Sequence, residues 1–177
     1  MNSSAEPTIS TENAESFRRI WRGFGSTVAL IATELDGRRH AMLATAVNSV
    51  SMNPPSLLVC INRSASAYQA MVERGAFSLG ILPADAHGLG AHMARASGAE
   101  RFSKGDWRHY HAEGSILDGL PWLAEAQATL FCRTDCSFDY GTHTIHIGIV
   151  QAVTEARHSD PLLYCEGRYG HFVEMGA

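Results

Sequence analysis

The chain has 177 residues, 45% of them apolar, enough to build the core of one domain and too apolar for a disordered chain. A formal net charge of −4 argues against nucleic acid as a main partner, because a phosphate backbone demands a basic face. No apolar run approaches the ~18 residues of a membrane-crossing helix, and the polar start MNSSAEPTISTENAES lacks the basic and apolar regions of a secretory signal, so a cytoplasmic protein is expected.

Met1 to Ile9 reads as a flexible tail, followed by a single domain over residues 10–177. Ser10 or Thr11 can cap a helix running to about Arg22. In it, Phe17, Ile20, Trp21 and Phe24 follow the spacing of one buried face. Gly23 and Gly25 end it. Ser26–Glu34 alternates and is rich in Val, Ile and Thr, which predicts a strand. Asp36-Gly37 is a two-residue hairpin signal, and Arg38–Leu43 is the returning strand.

The next stretch, Ala44–Ser66, reads ATAVNSVSMNPPSLLVCINRSAS. A strand ending in small and polar groups is broken by Asn53-Pro54-Pro55, since proline lacks the N–H and restricts the residue before it. Ser56–Ile61 is a short apolar strand, and Asn62–Ser66 is a polar elbow into a helix. Ser66 and Gln69 have capping-box spacing. Free N–H groups and hydroxyls at such a helix start suit a phosphate, so the stretch fits a flat, phosphate-bearing ligand laid across two strands. Taken alone, an ordinary β-corner with a capped helix also accounts for it.

Ala67–Arg74 is a short helix closed by Gly75, and Ala76–Leu82 a strand. A second helical segment runs from Pro83 and Asp85 to about Ala96, with Leu89 and Met93 as its apolar contacts. Ser97–Tyr110 is polar and loop-like, and Leu120–Leu123 reads as a turn. A long strand, Ala124–Phe138, turns at Asp139-Tyr140-Gly141 into its antiparallel return, Thr144–Glu155. Arg157–Asp160 is a loop and Pro161–Glu166 a last short strand. About seven strands joined by tight turns, with two or three peripheral helices and no βαβα alternation, predict a mainly β antiparallel barrel.

Gly23-Phe24-Gly25 and Gly88-Leu89-Gly90 both lack the third glycine of a dinucleotide fingerprint, so a Rossmann site is not expected. The four cysteines, Cys60, Cys132, Cys136 and Cys165, are too scattered for a disulfide framework and are read as reduced and mostly buried. Nine histidines raise the question of a metal. His143 and His146, three apart on a strand, point to opposite faces. Cys132 and Cys136 share a face but lie about 13 Å apart at ~3.3 Å per residue. Neither pair can chelate one ion, and no metal site is expected.

Ala44-Thr45-Ala46, then Ser49-Val50-Ser51 before Pro54-Pro55, then Cys60 with Asn62-Arg63-Ser64 and Ser66, resembles the flavin reductase domain of two-component flavin monooxygenases. That group includes the reductase partner of 4-hydroxyphenylacetate monooxygenase. The likeness runs from about Phe17 to Tyr169 and takes in Gly75-Ala76-Phe77, Arg101-Phe102 with Trp107, Gly141-Thr142-His143 and Pro161–Tyr164.

The resemblance implies a Greek-key, FMN-binding split β-barrel. The chain would transfer hydride from NADH or NADPH to an exchangeable FMN or FAD and supply reduced flavin to a separate monooxygenase. It also implies a homodimer with flavin near the interface. His40, Ala41, Met42, Leu43, Thr45 and Ala46 would border the isoalloxazine ring. Cys60, Ile61 and Asn62 would face its pyrimidine edge with backbone groups. Ser66 and Ala67 would hold phosphate, and His92 and Met93 would lie near the rest of the cofactor. Tyr164, Gly167, Arg168 and Tyr169 would lie by the nicotinamide.

His143 would be the catalytic-side residue, set against the nicotinamide. The family's usual Gly-Asp-His has Thr142 in the middle here, a weaker partner for the imidazole. The family's basic residue near Ser66, and its Arg in place of His92, are absent, which leaves phosphate to backbone N–H groups, Ser64, Ser66 and Arg63. No nucleophile–base pair stands out, as suits chemistry carried by cofactors. Two other readings remain: a flavin-dependent reductase of another acceptor, such as a cobalamin precursor or ferric complex, and a flavin-binding protein without turnover.

Overall fold

The computed structural model describes residues 11–156 and 160–176. The expected tail, the Ser10 cap and most of the loop after Ala156 lie outside the described residues. The helices are α1 (Thr11–Arg22), α2 (Tyr68–Arg74) and α3 (His87–Arg95). The first seven strands are β1 (Ser26–Thr27), β2 (Ala29–Leu35), β3 (Arg38–Ala44), β4 (Val47–Met52), β5 (Pro55–Asn62), β6 (Ala76–Ile81) and β7 (Trp107–His109). The remaining five are β8 (Pro121–Leu123), β9 (Ala128–Tyr140), β10 (His143–Val153), β11 (Leu163–Cys165) and β12 (Arg168–Gly170).

Seven strands form one antiparallel sheet in the order β3-β2-β6-β9-β10-β5-β4. Met42 and Ala44 of β3 pack into the same core as Leu57, Val59 and Ile61 of β5, so the sheet curls until its two ends share an interior. This is the mainly β split barrel expected from the sequence. A small sheet, β1-β11-β12, closes one side and pairs Ser26 with Tyr164. A second apolar cluster joins Leu30, Ala32 and Ala41 to Met93 of α3, Leu123 and Leu162.

Local chemistry explains the turns. Asp36 and Gly37 both have positive φ, 51° and 72°, the left-handed pair that a two-residue hairpin requires. Gly75, at φ 65°, ends α2 and donates its N–H to Met71 O. Asn53-Pro54 is a cis peptide at the β4–β5 corner.

Several expectations need correction. Helix α1 forms, but its apolar face is not buried: Phe17, Ile20, Trp21 and Phe24 are all exposed. Among the described residues nothing buries that face, and the Phe17, Trp21 and Phe24 rings stack on one another at 5.4 and 4.8 Å. Leu120–Leu123 is not simply a turn, because Pro121–Leu123 pairs with Trp107–His109. A further short strand, β12, follows the last one expected.

Ser66 does not cap α2. The turn bonds Ala65 N–H to Asn62 O and Tyr68 N–H to Ala65 O carry the elbow one residue further, so Ala67 is the N-cap and no side chain caps it. Gln69 pairs with Glu73 instead. Cys132 and Cys136 do not share a face, since Asp135 is an extra residue where Cys136 pairs with Ile147 and Thr134 with Gly148. Cys132 is buried, which pushes its thiol up to about 12, and Cys136 is exposed. Cysteines were expected to be mostly buried; only Cys132 is, with Cys60 half-buried and Cys165 exposed.

Candidate functional site

The site is built along the C-terminal half of β5 and the elbow after it. Alternation puts Leu57, Val59 and Ile61 inside, leaving Leu58, Cys60 and Asn62 on the outer face. Cys60 donates its N–H to Ala46 O at 3.0 Å, which ties the β3–β4 connection to β5. Thr45, Ala46, Asn48, Leu58 and Cys60 form one wall of a cleft of about 660 Å³. Its other walls come from α1 and the turn after it, through Phe17, Trp21 and Phe24, and from Tyr164 and Gly167 of the β11–β12 hairpin. That volume falls in the usual range for small-molecule sites, ~300–1,000 Å³. A neighbouring apolar cleft of about 690 Å³ shares Phe24, Ser26, Thr45 and Asn48 with it.

Beyond the cleft the elbow is braced by its own side chains. Asn62 Oδ1 accepts from Ser64 N–H and from the Ser64 hydroxyl, each at 2.9 Å. Ser66 Oγ accepts from Arg101 Nη1 at 3.1 Å. The same Arg101 nitrogen donates to Ala41 O of β3, and Arg101 Nε donates to Ala96 O at 2.8 Å. A guanidinium charge therefore sits beside Ser66, where the sequence had seemed to lack a basic group. Arg101 was missed as a site residue because it lies far along the chain in an irregular stretch, and no local spacing links it to Ser66. Arg63 N–H donates to Thr142 O, and its guanidinium to Gly141 O, so it is held on the β9–β10 turn.

His143 opens β10, exposed, in register opposite Asn62. Thr142 Oγ1 lies 2.9 Å from His143 Nδ1, so the threonine does partner the imidazole. His146 is buried on the opposite face, with Nδ1 2.9 Å from Ser137 Oγ. Burial depresses its protonation, partly opposed by Asp139. Among the described residues no three His, Cys, Asp or Glu side chains group as metal ligands.

The other expected residues are placed unevenly. His40, Met42 and Leu43 are half-buried on β3, with Met42 and Leu43 belonging to different core clusters. Ala41, Ile61 and Ala67 are buried, which leaves their backbones as the groups able to face a ligand. His92 Nε2 meets Glu100 O at 3.0 Å, beside the Arg101 segment. The Met93 side chain belongs to the core. Tyr169 packs toward Gly90 of α3 and edge-on to Tyr164, and burial followed by the neighbouring Tyr164 raises its phenol pKa against the pull of Arg95. Arg168 is exposed and faces Glu166 at 3.6 Å; it is not on the cleft wall. Phe17, Trp21 and Phe24, read from sequence as core, are instead cleft lining.

The arrangement is a flat apolar cleft leading to a polar elbow with an arginine, with an imidazole across the adjoining ladder. That suits a planar ring joined to an anionic tail.

The sequence profile described as flavin reductase like domain matches residues 21–172. The chain is 36% identical over 158 residues to the reductase component of a FADH(2)-dependent resorcinol hydroxylase from Rhizobium sp., covering 88% of this chain and 85% of that one. It is 37% identical over 173 residues to an FMN reductase (NADH) of Pseudomonas syringae, covering 96% and 94%. Among solved structures, an NADH:FAD oxidoreductase of Streptomyces globisporus, in complex with NAD and FAD fragments, superposes with TM-score 0.82 at 26% identity, covering 96% and 98%. With most of its length matched by the profile and by full-length relatives, this chain belongs to the flavin reductase like domain family.

Proposed function

We propose that the protein is an NAD(P)H:flavin oxidoreductase that binds exchangeable FMN or FAD and delivers reduced flavin to a separate monooxygenase. The observation that carries it is the continuity of β5 with its elbow: Cys60 in the cleft, Asn62 beside His143, and Ser66 under Arg101. The apolar wall of Leu58, Trp21 and Phe24 fits a flavin ring. The Arg101 guanidinium and the Ser66 hydroxyl fit its phosphate, a charge-assisted contact. Flavin held there would supply the acceptor for a hydride from NADH or NADPH. The chain's part is to hold the two rings within roughly 3–3.5 Å and exclude water. His143 contacts the nicotinamide and takes no proton, and Thr142 steadies its ring.

The same reading includes a single domain over residues 10–177, a cytoplasmic location and a homodimer. Exposed Phe17, Ile20 and Trp21 support the dimer, since a large exposed apolar face is a usual mark of an interface. Trp21→Glu should shift sedimentation toward monomer; an unchanged species removes the dimer from the proposal.

Titration with FMN and FAD tests binding, and oxidation of NADH should occur only when flavin is added. No flavin fluorescence change at tens of micromolar overturns the reading. Stopped-flow mixing with NADH separates a reductase from a non-catalytic binder, and competing acceptors separate flavin supply from reduction of a cobalamin precursor or ferric complex. His143→Ala should raise KM for the nicotinamide or slow flavin reduction, with flavin Kd changed by less than about threefold. Thr142→Asp gives the imidazole a charged acceptor and should preserve or improve nicotinamide use.

A further inference from the structure

The turn that presents His143 is gripped by one residue of the flavin elbow. Arg63 donates its backbone N–H to Thr142 O at 3.0 Å. Its Nη2 donates to Gly141 O at 2.6 Å and its Nη1 to His143 O at 3.4 Å. Three consecutive carbonyls, 141 to 143, are therefore held by a single arginine. Nη1 also faces Asp139 Oδ2 at 3.8 Å.

Asp139 leads back to the elbow by a second route. Its Oδ1 accepts from the Thr144 hydroxyl at 2.6 Å, and Thr144 Oγ1 meets the hydroxyl of Tyr68, the first residue of α2, at 3.0 Å. The circuit runs Arg63, elbow, Tyr68, Thr144, Asp139 and back to Arg63. Inside it, the elbow is fixed by the Asn62–Ser64 bonds and by Ala65 N–H on Asn62 O. A planar fork with several donors can bridge neighbouring carbonyls; a lysine ammonium on a flexible stem cannot hold both in one geometry.

Resting on the proposed placement of flavin at the elbow and nicotinamide at His143, we infer that Arg63 is a positioning residue for hydride transfer. It sets the distance and angle between the flavin-holding elbow and the His143 turn, without touching either reacting ring. Its guanidinium reaches the carbonyls of the His143 turn, whereas Arg101 also meets the Ser66 hydroxyl, so phosphate is assigned to Arg101 and Ser66. A misplacement of about 1 Å between two reacting groups can cost up to 10²-fold in rate, so loss of this clamp should appear mainly in the transfer step.

The test is a double-mutant cycle on the full chain with FMN and NADH, using Arg63→Met, His143→Ala and the pair, with Arg63→Lys as a rescue. Stopped-flow reduction, flavin Kd and thermal midpoint are read for each. Arg63→Met should slow flavin reduction about tenfold, with flavin Kd within about threefold, and Arg63→Lys should recover part of the loss. Because Arg63 acts through His143, the pair should be no slower than His143→Ala alone. Losses that multiply in the pair, an unchanged rate in Arg63→Met, or a rate loss that only follows a lost thermal midpoint or lost flavin binding, each overturn the inference while the site reading stands. Unchanged kinetics in His143→Ala removes the nicotinamide reading itself, and this inference with it.

Discussion

The two faces of the β5–β10 ladder differ in burial residue by residue. On the inner face, Leu57, Val59 and Ile61 lie opposite Gly148, His146 and Thr144, and all six are buried. On the outer face, Leu58, Cys60 and Asn62 lie opposite Ile147, Ile145 and His143, and all are at least partly exposed. One backbone carries both sets because side chains alternate with a period of two. The inner set fills the core, and Leu58 and Cys60 of the outer set line the cleft. Substitutions should therefore divide into those that cost stability and those that cost ligand use.

The largest effect belongs to the inner face. Phe77 is wholly buried against it, and Phe77→Ala should cost about 3–5 kcal/mol in denaturant unfolding. Gly148→Ala comes next. Its new Cβ would stand 2.7 Å from Phe77 Cζ and 3.0 Å from Cys132 Cβ, so overpacking should cost about 1–3 kcal/mol. An unchanged midpoint for either would show that the inner face is looser than its burial implies.

Ser66→Ala tests the other side. It should weaken FMN binding by about 1 kcal/mol, the worth of one hydrogen bond, and riboflavin, which lacks phosphate, by less. Because Ser66 does not cap α2, stability should move by no more than about 0.5 kcal/mol, as for an ordinary exposed change. Equal losses for the two flavins would place the phosphate elsewhere.

The smallest effect is the acid response of His146. Below the ordinary histidine value of 6.5, the unfolded chain takes up a proton that the buried imidazole resists, so stability present above that value is lost as pH falls toward the depressed folded value. Its neighbours are Ser137, Asp139 and the Tyr68 ring. His146→Gln removes this proton uptake, and its thermal midpoint should fall less on acidification than the parent's. An equal fall assigns the acid sensitivity to other groups.

Much of the sheet was legible because its signals are local. Asp36-Gly37 announces its hairpin, Gly75 its helix end, and the alternation of Ser26–Glu34 its strand. The Thr142–His143 pairing could be anticipated because the two are adjacent in sequence. What escaped was set by distant chain. Trp21 and Phe24 have the spacing of a core face, and periodicity alone cannot say that they stay exposed among the described residues. The paired faces expected of Cys132 and Cys136 failed on one inserted residue, Asp135, which no spacing rule anticipates. Arg101 meets Ser66 and Ala41 across 35 and 60 residues of chain, which no local spacing reveals. The sequence also left Arg63 as a free cation for phosphate; only the turn's three carbonyls reveal its employment.

The pairing of Ser26 with Tyr164, described as the closure of a small side sheet, also sets a clock on folding. Next to it Val28 N–H donates to Leu162 O, Leu82 N–H to Val28 O and Leu162 N–H to Leu82 O, so three distant segments meet at one seam. Strand β6 gains its second neighbour only when β9 has formed, and β10 must then find β5. Such non-local pairing is slow, and until it is complete the apolar edge of β6 is open to other chains. A chain emerging from the ribosome thus cannot complete this seam until β11 has been made. Synthesis at lowered temperature, or with a chaperone to cover that edge, should raise the yield of soluble protein.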